Sequence, residues 1–524
     1  MRIVKNNMML TPRLKLAKQT PITPLKGGIA TPVLRKGLIG VAISAIFVLF
    51  VACGAGEILE DQPFVACGAD ETLEYQPEQG EIIPSTPLPT PAHEPESTEE
   101  NLNEESINEE NINEESINEE NINENIENSQ QTITAPYDEC FAFEYWLSSL
   151  TIEERIGQLF MLRLPWQTQS VNERVRNLFD AVPMGGVILF GDNVDSISQV
   201  QALIAGLQEI SRIPLIISID EEGGRVSRVG RIFSREDDAR LTGISPYTVD
   251  DYDIGSREDR IRGMFGGPLP AAYEIGQGPG WFYAYEAAWL NALRLQSLGI
   301  TMNFAPVADV WSNPDNAVIG NRAFGRDGGV VAALVDATVQ GLYSQGIMSV
   351  IKHFPGHGDT YEDSHYLLAI HHHGKERWLE AEALPFISGI TAGADGVMVG
   401  HIATPAIGGH TVLLDWMQPW VDSGDLPATF SDFWLQYVLR GRLGFDGLII
   451  TDALEMRALT DNFTCGQIAL GAFLAGADIL LMPHNSQEAF NAVLHAYREG
   501  IFDEERLNQS LLRIFNAKPP TRQA

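Results

Sequence analysis

Leu215-Ile-Ile-Ser-Ile-Asp220-Glu-Glu-Gly-Gly-Arg-Val-Ser-Arg228 is a short apolar run that breaks off into charge and glycine. Its apolar part does not alternate with polar residues, so as a strand it is buried on both faces, which marks a parallel sheet covered by helices. The same pattern recurs at 157–164, 185–190, 302–307, 348–353, 396–401, 447–452 and 477–482, giving eight runs in all. Amphipathic or Ala-rich stretches lie between them at 196–210, 281–298, 330–344, 431–443 and 466–475. Alternating units of this kind predict an α/β chain folded as a (β/α)8 TIM-type barrel, with a doubly wound open sheet as the alternative.

In such a barrel the reactive groups gather where the strands end. Here the runs end in Asp220, Asp309, Lys352-His353, His401 and Asp452. One charged strand end is an ordinary solvated cap, but several around one mouth indicate a site.

Outside the barrel the charge is distributed very unevenly. Residues 1–56 hold eight Lys or Arg and no acid, while 57–135 hold twenty-two acids and no base. The net charge of −35 and a pI near 4.6 argue against nucleic acid as a partner. A hydrophobic fraction of 44% with nine Trp supplies a large core and excludes a fibrous or wholly disordered chain. Four Cys in 524 residues exclude a disulfide-dense scaffold.

The stretch 37–52 is apolar throughout, follows Arg35-Lys36, and falls short of the roughly 20 residues of a comfortable membrane span. It reads as an export signal. Val51-Ala52 and Gly54 surround Cys53, which resembles a bacterial lipoprotein signal and implies lipidation of Cys53; an uncleaved signal anchor is the alternative. Either reading places the rest outside, anchored to a membrane at the cell surface. Residues 50–63 recur almost letter for letter at 64–77, so Cys67 reads as a copy without an apolar leader. From 84 to 136 the chain is Pro, Thr, Glu, Asn and Ser, too poor in apolar groups to offset ordering entropy. The expected organisation is a signal at 1–53, a disordered acidic linker at 54–136 and a catalytic domain at 137–524.

The densest chemistry lies in Lys352-His-Phe-Pro-Gly-His-Gly-Asp-Thr-Tyr-Glu-Asp-Ser-His365. Its glycines and proline break any helix and permit a mobile loop, and Asp363-Ser-His365 sets a carboxylate near an imidazole. A carboxylate on one ring nitrogen fixes the tautomer and raises the basicity of the other, as proton transfer requires.

This stretch resembles the signature of glycoside hydrolase family 3, in its β-N-acetylhexosaminidase branch. The resemblance extends over roughly 146–516 through Asp220-x-Glu-Gly-Gly-Arg-Val-x-Arg228, Asn303-Phe-Ala-Pro-Val-Ala-Asp309, Asn321-Arg-Ala-Phe-Gly325, Gly444-Phe-Asp-Gly447 and Thr451-Asp-Ala-Leu-Glu-Met456. It implies that Asp452 is the nucleophile, that His365 is the general acid/base held by Asp363, and that Asp220, Arg228, Arg322, Lys352 and His353 hold the sugar. A retaining glycosidase needs such a carboxylate and proton donor on either side of the bond. The implied substrate is a terminal β-linked N-acetylglucosamine in peptidoglycan fragments or chitin oligosaccharides, with no cofactor. A β-glucosidase, a phosphorolytic relative and a non-catalytic carbohydrate-binding protein are the alternatives. No second α/β domain follows residue 518, which favours the hexosaminidase branch over the two-domain β-glucosidases.

Seven histidines between 353 and 401 raise the question of a metal, but no His-Glu-x-x-His or paired-Cys spacing accompanies them, so no metal site is expected. His371–His373 read as a surface or strand-edge run. Cys140 and Cys465 are compatible with a disulfide or with two isolated thiols. The excursion at 230–278 exceeds an ordinary loop and is expected either to rim the active-site mouth or to be a disordered insertion.

Overall fold

The computed structural model describes residues 135–246, 256–278 and 280–518, and the side chains of 135–141 lie outside that description. The expected export segment, Cys53, the acidic linker and Cys140 therefore lie outside it too. Among the described residues no helix is long and apolar enough to cross a membrane.

Each apolar run forms a strand: β1 Phe160–Arg163, β2 Gly186–Leu189, β3 Ile216–Ile219, β4 Met302–Asn303 and β5 Met348–Phe354. Two-residue β6 Ala369–Ile370 and β8 Ile402–Ala403 flank β7 Gly396–Val399, followed by β9 Leu448–Thr451 and β10 Leu480–Leu481. All main-sheet pairs are parallel, in the order β10-β1-β2-β3-β4-β5-β7-β9. The ring closes where Ile450 bridges Ile479 and Thr451 N donates to Ile479 O at 3.1 Å. An open sheet would leave two edges there, so the barrel is the fold. Val187, Ile217, Val397 and Ile449 are fully buried, as strands covered on both faces require.

Every predicted run but 348–353 gives a shorter strand, and β4 and β10 shrink most, to two residues each, for visible reasons. After Asn303 the chain carries Pro306, which has no N–H for the ladder, and pairing resumes only at Val307 with Lys352. β10 ends at Leu481, and the next residue, Met482, turns the chain out of the sheet with a φ of 50°. The small sheet β6–β8 has no counterpart in the sequence reading; it ties the end of the histidine loop to the segment after β7.

The described residues of the excursion, 230–246 and 256–278, neither rim the mouth nor form a disordered insertion, and 247–255 lie outside the described residues. Its helices Arg235–Thr242 and Arg257–Gly263 pack on helix Trp281–Leu298, burying Phe233, Ile261, Met264 and Phe265. No described residue of it lines the cleft below. It buttresses the turn after β3 instead: Gly224 N donates to Leu269 O at 2.8 Å, and a Cβ at Gly223, where φ is +93°, would lie 2.5 Å from Pro270 O. The buttress is pinned by Asp238, which receives Arg294 Nε and Nη2 at 2.8 and 2.6 Å with both side chains buried. Removing one partner leaves the other charged and unpaired, so Asp238→Ala is expected to lose about 3–5 kcal/mol in denaturant unfolding. A loss under about 1 kcal/mol would show that the pair carries little.

Candidate active site

The carboxyl ends of the strands open into a cleft of about 700 Å3. Asp220, Arg228, Arg322, Lys352, His353, Asp363, His365 and Asp452, the eight residues singled out in the sequence, all line it. They arrive from the ends of β3, β5 and β9 and from the loops after β3, β4 and β5.

One side is a cage of fixed charge. Lys352, only 2% exposed, places Nζ 2.6 Å from Asp220 Oδ1 and 2.7 Å from Glu222 Oε1. Arg322 grips both oxygens of Glu222, at 2.9 and 2.8 Å, in the fork geometry suited to a carboxylate. Burial pushes the Glu222 carboxyl up, but Lys352 and Arg322 outweigh it and hold it well below the usual range. Burial likewise opposes the charge on Lys352, and Asp220 and Glu222 reverse that to raise its pKa. Glu222, Arg322 and Lys352 thus hold their charges on one another before any ligand enters, and the cage presents both donors and acceptors, as a ligand rich in hydroxyls requires. Arg228 reaches the cleft with its Nε unpaired among the described residues and its guanidinium 5.7 Å from the Phe190 ring.

Beneath the cage, Asp309 is fully buried at the loop after β4. Its carboxylate receives His353 Nδ1 at 2.7 Å and the backbone N–H groups of His353 and His357 at 3.2 and 2.7 Å. With Nδ1–H committed to Asp309, His353 Nε2 carries the free lone pair, 3.5 Å from Arg322 Nη2.

Asp452 follows β9 on the floor. Its N–H donates to Val399 O at 2.9 Å and its Oδ1 accepts from Ala453 N at 2.7 Å. Burial raises the carboxyl pKa, but the imidazoles of His353 and His401, the Ala453 N–H and His365 together bring it below the ordinary aspartate value. The group is a fixed anion. His401, buried beside it, donates Nε2–H to Ala453 O at 3.0 Å and places Nδ1 2.7 Å from Thr429 Oγ1, and burial holds its pKa low.

Across the mouth, the loop after β5 carries His365 with its side chain 56% exposed. Asp363 Oδ1 receives His365 Nδ1 at 2.8 Å and the His365 backbone N–H at 2.9 Å, so Nε2 is the nitrogen left to exchange a proton.

Glu222, Asp309, His357 and the pair Arg163–Glu455, 3.4 Å apart beside the floor, were not assigned roles from the sequence. A signal existed for Glu222: side chains alternate beyond a strand, which groups it with Asp220 and turns Glu221 inward. Glu221 is indeed 1% exposed and receives the backbone N–H groups of Arg228 and Val229 at 2.5 and 2.8 Å, shaping the loop that presents Arg228. The histidine run divides: His371 is 1% exposed, whereas His373 stands half in solvent, 2.7 Å from Asp359. Among the described residues no three His, Cys, Asp or Glu side chains converge as metal ligands would.

Burial, then the neighbouring His353, lowers the pKa of His357 from 6.5 to about 4. The folded protein then binds fewer protons there than the unfolded chain, so this contribution to stability is present above pH 6.5 and is lost as pH falls to about 4. In His357→Gln the denaturation midpoint should fall less steeply across that window than in the parent, and equal slopes would contradict the assignment.

A sequence profile described as the glycosyl hydrolase family 3 N terminal domain matches residues 151–235 and 248–517. The matched relatives include beta-hexosaminidase A of Pseudoalteromonas piscicida, 33% identical over 356 residues, which are 65% of this chain and 54% of that one. The beta-hexosaminidase of Xylella fastidiosa strain M23 is 34% identical over 305 residues, 58% of this chain and 77% of that one. Among solved structures, a glycoside hydrolase family 3 beta-N-acetylglucosaminidase from Paenibacillus sp. str. FPU-7 superposes with a TM-score of 0.58 at 34% identity, covering 70% of this chain and 62% of the other. The chain thus spans about half the length of the Pseudoalteromonas relative and under two thirds of the Paenibacillus one.

Proposed function

This chain belongs to glycosyl hydrolase family 3, and from that premise we propose that it is a retaining exo-β-N-acetylhexosaminidase. The observation that carries the reading is one cleft holding a buried aspartate kept anionic and a histidine whose second nitrogen is occupied by a carboxylate. Asp452 attacks the anomeric carbon. The glycosidic C–O bond breaks, its electrons pass to the departing oxygen, and His365 Nε2 supplies the proton. Asp363 stabilises the imidazolium that exists before that transfer and re-forms when His365 later deprotonates water. In the second half, His365 takes a proton from water, the resulting hydroxide attacks the same carbon, and Asp452 leaves as the free carboxylate. Two inversions at one centre retain the β configuration.

Asp220, Glu222, Arg228, Arg322, Lys352 and His353 bind the nonreducing-end sugar and fix its carbon over Asp452. The beta-hexosaminidase names of the relatives support a hexosamine as that sugar, and the beta-N-acetylglucosaminidase from Paenibacillus supports N-acetylglucosamine. Peptidoglycan fragments and chitin oligosaccharides are the proposed sources, and the basic leader with its apolar stretch and Cys53 supports a cell-surface location, tethered to a membrane. Incubation with aryl β-N-acetylglucosaminide and aryl β-glucoside, each with and without phosphate, tests substrate and acceptor together. Free N-acetylglucosamine from the first alone is the expected result; preference for the glucoside, or a sugar phosphate as product, would overturn it.

A further inference from the structure

The loop that carries His365 is two things at once. Its first part is fixed: Asn316 Nδ2 donates to His357 O and Thr360 O at 2.7 and 3.0 Å, and a Cβ at Gly358 would lie 1.9 Å from Val310 O. Its second part stands in solvent, with Tyr361, Tyr366 and Leu367 each more than 60% exposed. In the middle of that exposed stretch, between Asp363 and His365, Ser364 is turned inward and is only 2% exposed. Its hydroxyl lies 2.9 Å from Nε2 of His357, itself 1% exposed.

The protons of this chain can be placed. Thr360 Oγ1–H donates to His357 O at 2.9 Å, and the same oxygen lies 2.6 Å from His357 Nδ1. Its one proton being used, Thr360 Oγ1 accepts Nδ1–H, which leaves the lone pair of Nε2 to accept from Ser364 Oγ–H. His357 is further anchored through its backbone N–H on Asp309, the carboxylate that also orients His353 in the cage. A continuous path of hydrogen bonds therefore runs from the barrel to the residue that separates the two members of the proton-transfer pair.

We infer that His357 is a positioning residue, a latch that holds Asp363 and His365 over the floor of the cleft by accepting the Ser364 hydroxyl. The latch acts through proton delivery and not through sugar binding, because neither Ser364 nor His357 belongs to the charged cage. This inference rests on the assignment of His365 as acid/base.

Leaving groups separate the possibilities. A 2,4-dinitrophenyl glycoside departs without a proton, whereas a sugar leaving group needs one, and kcat/KM reports the step in which the bond breaks. Ser364→Ala should lower kcat/KM about 10-fold or more on N,N′-diacetylchitobiose and less than about 2-fold on the dinitrophenyl N-acetylglucosaminide. His357→Gln should do the same, and the double variant should be no worse than the worse single one, since both remove one contact. Equal losses on the two substrates, no loss on either, or additive losses in the double variant would overturn the latch. His365→Ala serves as the reference. If it lacks the leaving-group dependence, the acid/base assignment itself fails and the latch falls with it; if it has the dependence and Ser364→Ala does not, the latch alone fails.

Discussion

Asp452→Ala is expected to lower kcat/KM on an aryl β-N-acetylglucosaminide by roughly 10^3-fold or more, with the fold and the charged cage left standing. The magnitude follows from what no other group can supply. Asp452 is held at its backbone by Val399 and at its carboxylate by Ala453, in the same cleft as the cage proposed to fix the sugar. Alanine removes the proposed nucleophile and leaves water as the attacker. Because the carboxyl pKa is depressed, the wild-type enzyme should keep its ionised nucleophile below the ordinary aspartate value of about 3.9, so any acid limb of kcat/KM at higher pH belongs to another group. A variant retaining rates within about 10-fold of the parent would remove Asp452 from the chemistry.

His365→Ala is the second large effect, and its signature is selectivity. Loss of a general acid costs on the order of 10^2- to 10^4-fold where a proton is needed. The chitobiose rate should fall within that range, while the dinitrophenyl rate constant for bond cleavage falls little. Hydrolysis of the intermediate should then become limiting, because no base activates water. Added azide, which needs no deprotonation, should restore turnover and give the β-glycosyl azide. Equal losses on both substrates with no azide product would mean that His365 does not transfer the proton.

The fold was legible because the strands consist of branched apolar residues that carry their burial in their own composition: Ile216, Ile217 and Ile219 in β3, Ile449 and Ile450 in β9. The cleft residues were legible for a related reason, since a charge closing an apolar run marks the barrel mouth, and the resemblance supplied their roles. Other features depend on distant partners. Asp238 lies among Glu236, Asp237 and Arg240 in a strongly charged helix, and nothing local reveals that it is buried against Arg294, 56 positions away. His357 sits in the recognisable histidine stretch, yet its bond to Ser364 depends on how the loop folds back, which glycine-rich backbone leaves open. Glu222 was recoverable from strand alternation, whereas Asp309 emerged as the shared acceptor of two histidines only when its loop was placed alongside β5.

The shared claim beneath these expectations is a covalent bond between Asp452 and the sugar. Incubating the protein with a 5-fluoro N-acetylglucosaminyl fluoride, whose good leaving group loads the enzyme and whose ring fluorine slows release, allows the adduct to be located by peptide mass spectrometry. The predicted result is one sugar on the peptide containing Asp452, with β-configured product from ordinary substrate. An unmodified protein together with α-configured product, or a label on a different residue, would contradict the mechanism.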